Sequence, residues 1–459
     1  MIALSVAQVC AATNGVAHHL APEEMITDVR TDSREVSAGC LFVAIKGERA
    51  DGHDFAADVI AAGAKAVLSA RELDEPCIVV DDPVLALGRL ARWVRADLLN
   101  CTVVGVTGSS GKTSTKELIA GLLAVDGPTV CPEGSFNTEV GVPLTILKAD
   151  ENTKYLVLEM GMRGLGQIRY LAEIARPTVG VLVNVGTAHI ELLGSREAIA
   201  RAKGELIEEL PPEGFAILNG DDPLIIAKAD DTKASVVTFG KRVGVDVRAT
   251  DVRLDAAARP SFTLTYDNAS EPVTLKVHGE HFVQNALAAA SVALALGIKL
   301  DVVAAGLRIA GLDSKWRMEV HELGNNITLV NDSYNANPES MRAALAATAS
   351  MAAGRRSWAV LGEMRELGES SREEHASLGR AAASMGIDRL VCIGDALIPT
   401  HEAALAAGLK SELVISIEDA VSIVTNEAIT GDVIVVKASR GIALERVADA
   451  LSAWNGGAA

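Results

Sequence analysis

The sequence predicts an α/β protein of three domains: a small N-terminal α/β domain, a central P-loop domain with a parallel sheet, and a C-terminal Rossmann-like domain. Three observations predict this. The chain has 459 residues, and single domains of about 150 residues are common. Short apolar runs alternate with helical segments, as buried parallel strands do in α/β folds. A glycine-hinged loop that can hold phosphate follows one of these strands.

The first block, residues 1–98, is predicted to be a small α/β unit. Its strands are expected at 40–45, 66–69 and 77–80, and its helices at 55–62 and 84–99. Residues 1–17 lack a positively charged start and carry Gln8 and Asn14, so we expect a short helix there rather than a signal peptide.

The second block, residues 99–312, contains the best-defined strands. They are expected at 103–107, 155–159, 179–185 and 215–218, with an antiparallel insertion at 245–277 that turns at 266–268, and a helix at 285–296. The third block, residues 313–459, repeats the alternation. Its strands are expected at 328–331, 358–361, 389–393, 413–416 and 433–437, as in an open sheet that binds ligands beyond the carboxyl ends of its strands.

The composition excludes several classes of protein. Hydrophobic residues make up 49% of the chain and charged residues 22%, which is typical of a soluble globular protein. The formal net charge of −18 argues against nonspecific binding to nucleic acid or to an anionic membrane. An anionic substrate must therefore be met by local arginines, lysines and metal ions.

Cysteine usage and hydropathy favour a cytoplasmic protein. The six cysteines include no C-x-x-C pair, so neither a zinc ribbon nor a disulfide framework is indicated. The longest apolar run, residues 286–298, is too short to cross a bilayer. We therefore expect no membrane insertion.

The most informative segment joins an apolar strand to a glycine loop and a helix. Its residues are Thr107, Gly108, Ser109, Ser110, Gly111, Lys112 and Thr113. The glycines permit a tight turn that aims backbone N–H groups inward, and the helix adds the positive end of its dipole. Lys112 is expected to reach the outer phosphates and Thr113 to ligate magnesium. Val106 stands where the longer G-x-x-x-x-G-K-[ST] pattern has glycine, so the match is to a shorter form.

Two polar residues follow strands of the predicted parallel sheet. Glu159 ends one strand, and His189 follows another after a short turn. Both are expected at the sheet edge where the phosphate loop opens, so Glu159 is a candidate magnesium ligand. His189 is either a second metal ligand or phosphate contact, or a structural histidine.

Other candidates are less specific by pattern alone. Lys203 lies on a helix after His189, and its spacing equally fits a surface lysine. Asn285 either caps its helix or contacts a base. In the third block, Asp332, Asn335 and Asn337 lie in a polar turn directly after a strand, beside Arg317. Turn chemistry alone explains part of that cluster.

Taken together, these segments resemble the Mur ligase family over nearly the whole chain. They are residues 31–34, 42–47, 107–113, 135–143, 202–205, 332–338 and 361–368. The Asp-Asn-Pro-Arg signature of the diaminopimelate-adding members is absent. The resemblance is therefore to members that join D-alanyl-D-alanine to UDP-N-acetylmuramoyl-tripeptide, in peptidoglycan synthesis and hence in cell-wall biogenesis, cell shape and division.

The resemblance implies a role for each block and residue. The first block would bind the uridine substrate through Ser33, Arg34 and Lys46; the middle block would be the ATPase domain; and the last would complete the nucleotide site and receive the dipeptide. Asn137 and Thr138 would meet the muramoyl peptide. ATP would be held by residues 107–113 with Asn285, Arg317, Asp332, Asn335 and Asn337. The metal ligands would be Thr113, Glu159 and His189, and the catalytic residues Lys112, His189, Lys203 and Arg317.

The resemblance also implies cofactors and a reaction. Two magnesium ions are expected, and in some members the lysine at the place of Lys203 is a carbamate that helps to hold the second. ATP would phosphorylate the peptide carboxylate, and the amine would displace phosphate from the acyl phosphate, giving ADP. We expect a monomer. Two alternatives stay open: a folylpolyglutamate-type or other carboxylate-amine ligase, and a nucleotide switch, which the absence of an Asn-Lys-x-Asp segment disfavours.

Overall fold

The computed structural model describes residues 1–48 and 50–457. Each of the three predicted blocks contains a main β-sheet of its own, with helices packed against it. The predicted α/β class and three-part organisation are therefore confirmed. Within these residues, no helix is both long and apolar enough to cross a membrane.

The first block forms a five-stranded sheet in the order β2-β7-β6-β5-β4, in which only β2 runs antiparallel to its neighbour. Its elements are β1 (Leu4–Ser5), α1 (Val6–Thr13), β2 (Val16–His18), β3 (Met25–Ile26), β4 (Asp28–Arg30), β5 (Cys40–Val43), α2 (Ala56–Ala61), β6 (Ala66–Ser69), β7 (Cys77–Val79) and α3 (Pro83–Trp93). The expected N-terminal helix is present, and Ser5 caps it. Asp82 caps α3, whose first residue is Pro83.

The second block forms a nine-stranded sheet in the order β16-β15-β14-β13-β12-β11-β8-β10-β9. Its elements are β8 (Thr102–Thr107), α4 (Lys112–Leu123), β9 (Thr129–Val130), α5 (Gly141–Lys148), β10 (Tyr155–Glu159), α6 (Gln167–Ala175), β11 (Val179–Leu182), α7 (Ile190–Leu193), α8 (Arg196–Glu208), β12 (Phe215–Asn219), α9 (Pro223–Ile226), β13 (Ser235–Gly240), β14 (Val247–Leu254), β15 (Pro260–Tyr266), β16 (Ala269–Thr274), α10 (His281–Ala295) and α11 (Leu300–Ile309). Strands β8 to β13 are parallel, and the strands predicted at 103–107, 155–159, 179–185 and 215–218 are among them.

The predicted antiparallel insertion is present but is not a separate layer. Strand β14 pairs in parallel with β13, so the β14-β15-β16 meander extends the central sheet. Its hairpin turn falls at Asp267 and Asn268, which both have positive φ, as a two-residue turn of type I′ requires. Strand β13 itself was not predicted.

The third block forms a six-stranded sheet in the order β17-β18-β22-β19-β20-β21, parallel except for the edge strand β17. Its elements are β17 (Glu319–Leu323), β18 (Ile327–Asn331), α12 (Pro338–Ala352), β19 (Ser357–Leu361), α13 (Ser371–Ser384), β20 (Arg389–Ile393), α14 (Ile398–Ala406), β21 (Lys410–Val414), α15 (Ile417–Glu427), β22 (Val433–Lys437) and α16 (Glu445–Trp454). The strand expected at 413–416 was placed too late, because Ser416 is the N-cap of α15.

The cores cross the boundaries between blocks. One continuous apolar cluster includes Ile119 of α4, Leu287 of α10 and Leu345 of α12. A second cluster joins Leu87 of α3 to Leu171 of α6. Because apolar side chains of different blocks share these cores, the second block is packed against both the first and the third.

Candidate active site

A cleft of about 1350 Å³ lies between the three blocks. The first block contributes Leu85 to its wall, the second contributes the phosphate loop and the residues after β10 and β11, and the third contributes the turn after β18. The carboxyl ends of the central parallel strands therefore open into the cleft, which is where ligands bind in open α/β sheets.

The phosphate loop has the geometry expected from its glycines. Gly111 precedes α4 with φ +72°, a conformation that other residues rarely adopt. A Cβ atom at this position would also lie 2.6 Å from Oδ1 of Asn285, whose side chain is buried beside the loop. The structure thus brings Asn285, on α10, into contact with the loop that precedes α4.

Lys112 begins α4 and turns back over the loop. Its Nζ donates a 2.9 Å hydrogen bond to the carbonyl of Gly108. Burial lowers the pKa of Lys112, the charge of Glu159 raises it, and the charge of Arg317 lowers it. The ammonium group is therefore buried at the loop, where phosphate oxygens would stabilise its charge.

Asn184, directly after β11, holds the loop in shape. Its Oδ1 accepts the backbone N–H groups of Ser109 and Ser110 at 3.0 and 2.9 Å, and its Nδ2 donates to the carbonyl and hydroxyl of Ser110. The sequence interpretation missed this residue. The strand expected at 179–185 was too long, because β11 ends at Leu182 and Asn184 lies in the turn that follows. The available signal was a polar side chain within a run of buried apolar residues.

Several buried polar atoms around the loop have no hydrogen-bond partner within residues 1–48 and 50–457. They are the hydroxyls of Thr107 and Ser109 and the Nε of Arg317. Buried polar groups are normally paired, so unpaired donors at a phosphate loop fit a ligand rich in acceptor oxygens. This supports the assignment of the loop to a nucleotide.

Thr113 and Glu159 are in direct contact. The Thr113 hydroxyl donates to Glu159 Oε2 at 2.7 Å, and Asn137 Nδ2 donates to Glu159 Oε1 at 2.6 Å. Ser135 lies 2.9 Å from the Thr113 hydroxyl and was not predicted. Thr138 lines the cleft and accepts weakly from the start of α5.

This donor set fits magnesium, which prefers oxygen ligands and is commonly held by one or two carboxylates together with substrate phosphates. Thr113 and Glu159 supply a hydroxyl and a carboxylate beside the phosphate loop. The described residues contain no group of three His, Cys, Asp or Glu side chains placed to hold a metal ion. Substrate oxygens would therefore have to complete the coordination.

His189 lies at the start of α7 with φ +65° and lines the cleft. Its Nδ1 is 2.7 Å from Oε2 of Glu366, in the loop after β19. The contact with His189 lowers the pKa of Glu366, against the effect of burial. His189 is thus at the predicted rim but is paired across the cleft with the third block, and its role as a metal ligand stays a prediction.

Arg317 reaches from the third block into the phosphate loop. Its Nη2 donates to the hydroxyls of Thr113 and Ser135, both at 2.9 Å. The guanidinium carbon lies 4.0 Å from the ring centre of Tyr334, a cation–π contact that fixes its orientation. Arg317 therefore lies at the phosphate loop, and its contact with the nucleotide stays a prediction.

The polar turn after β18 also faces the cleft. Asp332 forms an ion pair with the buried Lys437 at 2.7 Å, and Lys437 donates to the carbonyl of Asn335 at 2.8 Å. Asn337 caps α12 and donates from Nδ2 to the carbonyl of Ser109 at 3.3 Å. Turn chemistry thus accounts for part of the cluster, while Asn337 links it to the phosphate loop.

A second link between blocks was not predicted. Glu339, in the first turn of α12, accepts hydrogen bonds from the N–H of Thr187 at 3.0 Å and from its hydroxyl at 3.1 Å. A Cβ atom at Gly186 would lie 2.9 Å from either carboxylate oxygen. The loop that carries Asn184 and His189 is therefore held by the third block.

Lys203 is buried on α8, with 2% of its surface exposed, so the surface-lysine alternative is wrong. Burial lowers the pKa of Lys203 well below its usual value, and the charge of Lys112 lowers it further. None of the described residues forms an ion pair with its ammonium group. Lys203 does not line the cleft itself, but it lies close enough to the phosphate loop for the charge of Lys112 to affect its pKa.

The predicted uridine contacts lie away from the cleft wall. Ser33 and Arg34 form a short helical turn, in which Arg34 pairs with Asp32 at 2.5 Å. That pair lowers the pKa of Asp32 to about 2. Lys46 lies in an isolated bridge with Asp51. The structure does not bring these residues together with the phosphate loop, and their role stays a prediction.

Comparisons with known proteins agree with this geometry. Family models described as "Mur ligase family, catalytic domain", "Mur ligase middle domain" and "Mur ligase, glutamate ligase domain" match residues 25–94, 106–293 and 316–440. The order of the three matches follows the order of the three sheets.

Individual relatives cover the whole chain. A UDP-N-acetylmuramoyl-tripeptide--D-alanyl-D-alanine ligase from Mycobacterium tuberculosis is 43% identical, over 99% of this chain and 98% of the relative. The crystal structure of MurF from Acinetobacter baumannii is 33% identical, covers 99% of both chains and superposes with a TM-score of 0.88. The MurF ligase of Thermotoga maritima in complex with ADP is 31% identical, covers 93% of this chain and 97% of its own, and gives a TM-score of 0.80. The chain belongs to the Mur ligase family.

Proposed function

We propose that this chain is an ATP-dependent ligase that joins D-alanyl-D-alanine to UDP-N-acetylmuramoyl-tripeptide in peptidoglycan precursor synthesis. One observation carries the proposal. Arg317 of the third block, Thr113 of the phosphate loop and Glu159 form one hydrogen-bonded group in a cleft between the blocks. The relatives that cover the whole chain are named for this reaction.

The three blocks divide the substrates between them. We place the domain boundaries at 98/99 and 312/313, which is supported by three sheets that fall within these limits. The first domain binds the uridine nucleotide through Ser33, Arg34 and Lys46. The second and third close on ATP from opposite sides, and the third receives the dipeptide.

In the first step, an oxygen of the tripeptide's terminal carboxylate attacks the γ-phosphorus of ATP, and ADP leaves. The result is an acyl phosphate, which gives the carbonyl carbon a leaving group. Negative charge shifts toward the β–γ bridging oxygen and the transferred phosphoryl group. Lys112, the loop N–H groups held by Asn184, and Arg317 are placed to stabilise that charge.

In the second step, the amine of D-alanyl-D-alanine attacks the acyl carbon. The tetrahedral intermediate expels inorganic phosphate, and the nitrogen loses a proton as the amide forms. Asn137, fixed by its 2.6 Å hydrogen bond to Glu159, lies on the side of the cleft where the peptide carboxylate must approach the phosphate loop. With Thr138 it positions the muramoyl peptide.

We assign magnesium binding to Thr113, Glu159 and His189, with two ions bound together with ATP. Bound magnesium would offset the charge of the phosphate oxygens. Lys203 would carry a carbamate that supports the second ion. This is favoured by its burial and lowered pKa, since only the neutral amine reacts with CO2. Loss of activity in K203A, restored in part by short carboxylic acids, is the expected result; no rescue would count against the carbamate.

We place the protein in the cytoplasm as a monomer. All six cysteines are free, as expected in a reducing compartment. The described residues of a single chain line the cleft from all three blocks, so a second copy is not needed to complete it.

The proposal is tested by measuring phosphate release with ATP and synthetic UDP-N-acetylmuramoyl-tripeptide, with and without D-alanyl-D-alanine. The expected result is sustained phosphate and ADP release that depends on the dipeptide, with formation of the pentapeptide product. Release that ignores the dipeptide would contradict the proposal and favour a nucleotide switch.

A further inference from the structure

Among the described residues, one cation on the cleft wall forms no hydrogen bond or ion pair through its side chain. Lys112, Arg196, Arg317, Arg365, Lys437 and Arg440 each line the cleft and each donate a hydrogen bond or form an ion pair within the protein. Arg163 also lines the cleft and is exposed. Its guanidinium makes no hydrogen bond or ion pair with any residue in 1–48 and 50–457.

The backbone around Arg163 is fixed although the side chain is not. Gln167 Oε1 accepts the N–H groups of Arg163 and Gly164 at 2.5 and 3.2 Å, at the start of α6. Glu205 accepts the N–H groups of Gly166 and Arg169 in the same turn. The charge of Arg163 lowers the pKa of Glu366, but that carboxylate is already paired with His189. The guanidinium of Arg163 therefore keeps its donors for an anionic ligand, which it would bind through charge-assisted hydrogen bonds.

Arg163 lies between the reaction centre and the first domain. It is four residues after Glu159, and Gly161 packs on Asn137, with an N–H bond to the Asn137 carbonyl at 2.8 Å. On the other side, Tyr170 of α6 contacts α3 at Gly88. The peptide of a uridine-linked substrate must cross this region to bring its terminal carboxylate to the phosphate loop.

We propose that Arg163 is a specificity-determining residue that binds the free carboxylate of a diaminopimelate third residue in the tripeptide. The inference rests on the proposed function. Diaminopimelate and lysine both end in an amine, so an amine-binding group would not distinguish them. Only diaminopimelate keeps a second carboxylate after the first has reacted, and a guanidinium binds a carboxylate through two parallel hydrogen bonds.

The test compares kcat/KM for two synthetic UDP-N-acetylmuramoyl-tripeptides, one ending in diaminopimelate and one in lysine. The wild-type enzyme should prefer diaminopimelate by about tenfold or more. In R163Q the preference should fall to within about threefold, through a loss confined to the diaminopimelate substrate. R163K should retain part of the preference, because it keeps the charge but not the two-point contact.

R169Q is the matched control. Arg169 lies on the same helix start, is outside the cleft wall, and pairs with Glu208 and Glu209, so its substitution should leave the ratio unchanged. Equal loss with both peptides, an unchanged ratio in R163Q, or a raised KM for D-alanyl-D-alanine with both peptides would overturn the proposal for Arg163 while ligation itself continued. If the wild-type enzyme ligates neither peptide, the proposed function fails instead.

Discussion

Arg317 Nη2 donates a 2.9 Å hydrogen bond to the Thr113 hydroxyl, although the two residues belong to different sheets and lie 204 positions apart. The contact joins the third domain to the phosphate loop of the second. The same hydroxyl donates to Glu159, the candidate metal ligand. A movement of the third domain would therefore displace Arg317 and alter the hydrogen bonding of both Thr113 and Glu159. We therefore expect the phosphate loop to work only as half of a two-sided site.

Replacing Lys112 should separate ATP chemistry from binding of the uridine substrate. K112A removes the ammonium group that contacts the loop carbonyl of Gly108 and would face the phosphates. We expect ligation to fall by at least about 100-fold, the scale of losing one charge-stabilising group. Affinity for UDP-N-acetylmuramoyl-tripeptide, measured by calorimetry, should stay nearly unchanged. Unchanged turnover would remove Lys112 from the site.

Asn184 should act through the shape of the loop. N184A removes the acceptor of two loop N–H groups and the donor to Ser110. We expect kcat/KM for ATP to fall about 10-fold to 100-fold while the KM for both peptide substrates changes little. N184D keeps the acceptor but loses the donor and adds a negative charge beside the phosphates, so it should be worse than N184A. Equal activity of both variants would contradict a role in loop geometry.

Glu339 should stabilise the loop that carries His189. E339Q keeps one acceptor for the Thr187 N–H, whereas E339A keeps none. We expect kcat to fall in the order wild type, E339Q, E339A, with a loss of about 1–3 kcal/mol in transition-state stabilisation for E339A. Hydrogen exchange at residues 186–189 should rise in the same order. Faster exchange without any loss of kcat would mean that the loop's position does not matter for the reaction.

The order of the blocks and the phosphate loop could be predicted because their signals are local. The loop at 107–113 directly follows strand β8, and Glu159 is the last residue of strand β10. Contacts between distant segments could not be predicted. Asn184 meets its loop partner across 75 positions, and Glu339 meets Thr187 across 152. No pattern within one segment indicates which polar residue of another will face it.

The burial of a single charged residue, Lys203, could not be predicted from the sequence either. Lys203 lies on a helix that has glutamate and arginine on either side, so its spacing fits a solvated face. The structure packs α8 against β11 and α6, which leaves Lys203 inside. The burial of Lys203 depends on how α8, β11 and α6 pack together, whereas the sequence around Lys203 describes α8 alone.

The buried Lys203 should make stability depend on pH. Its pKa is lowered by burial and by the charge of Lys112, so the unfolded chain binds more protons than the folded one at neutral pH, and wild-type stability rises with pH up to about 10.4, the ordinary pKa of lysine. K203M should melt about 3 °C higher than wild type at pH 7 in CO2-free buffer, and the difference should shrink at pH 9.5. A constant difference, or a less stable K203M, would contradict the burial of an ionisable amine.

The central claim is that the γ-phosphate of ATP passes to the carboxylate of the tripeptide. The direct measurement uses UDP-N-acetylmuramoyl-tripeptide labelled with ¹⁸O in its terminal carboxylate, with ATP and D-alanyl-D-alanine, and follows the label by mass spectrometry of the released phosphate. Because the acyl phosphate breaks at its carbonyl carbon, one labelled oxygen should appear in each phosphate, with ADP as the nucleotide product. Unlabelled phosphate, or label in AMP, would contradict the account.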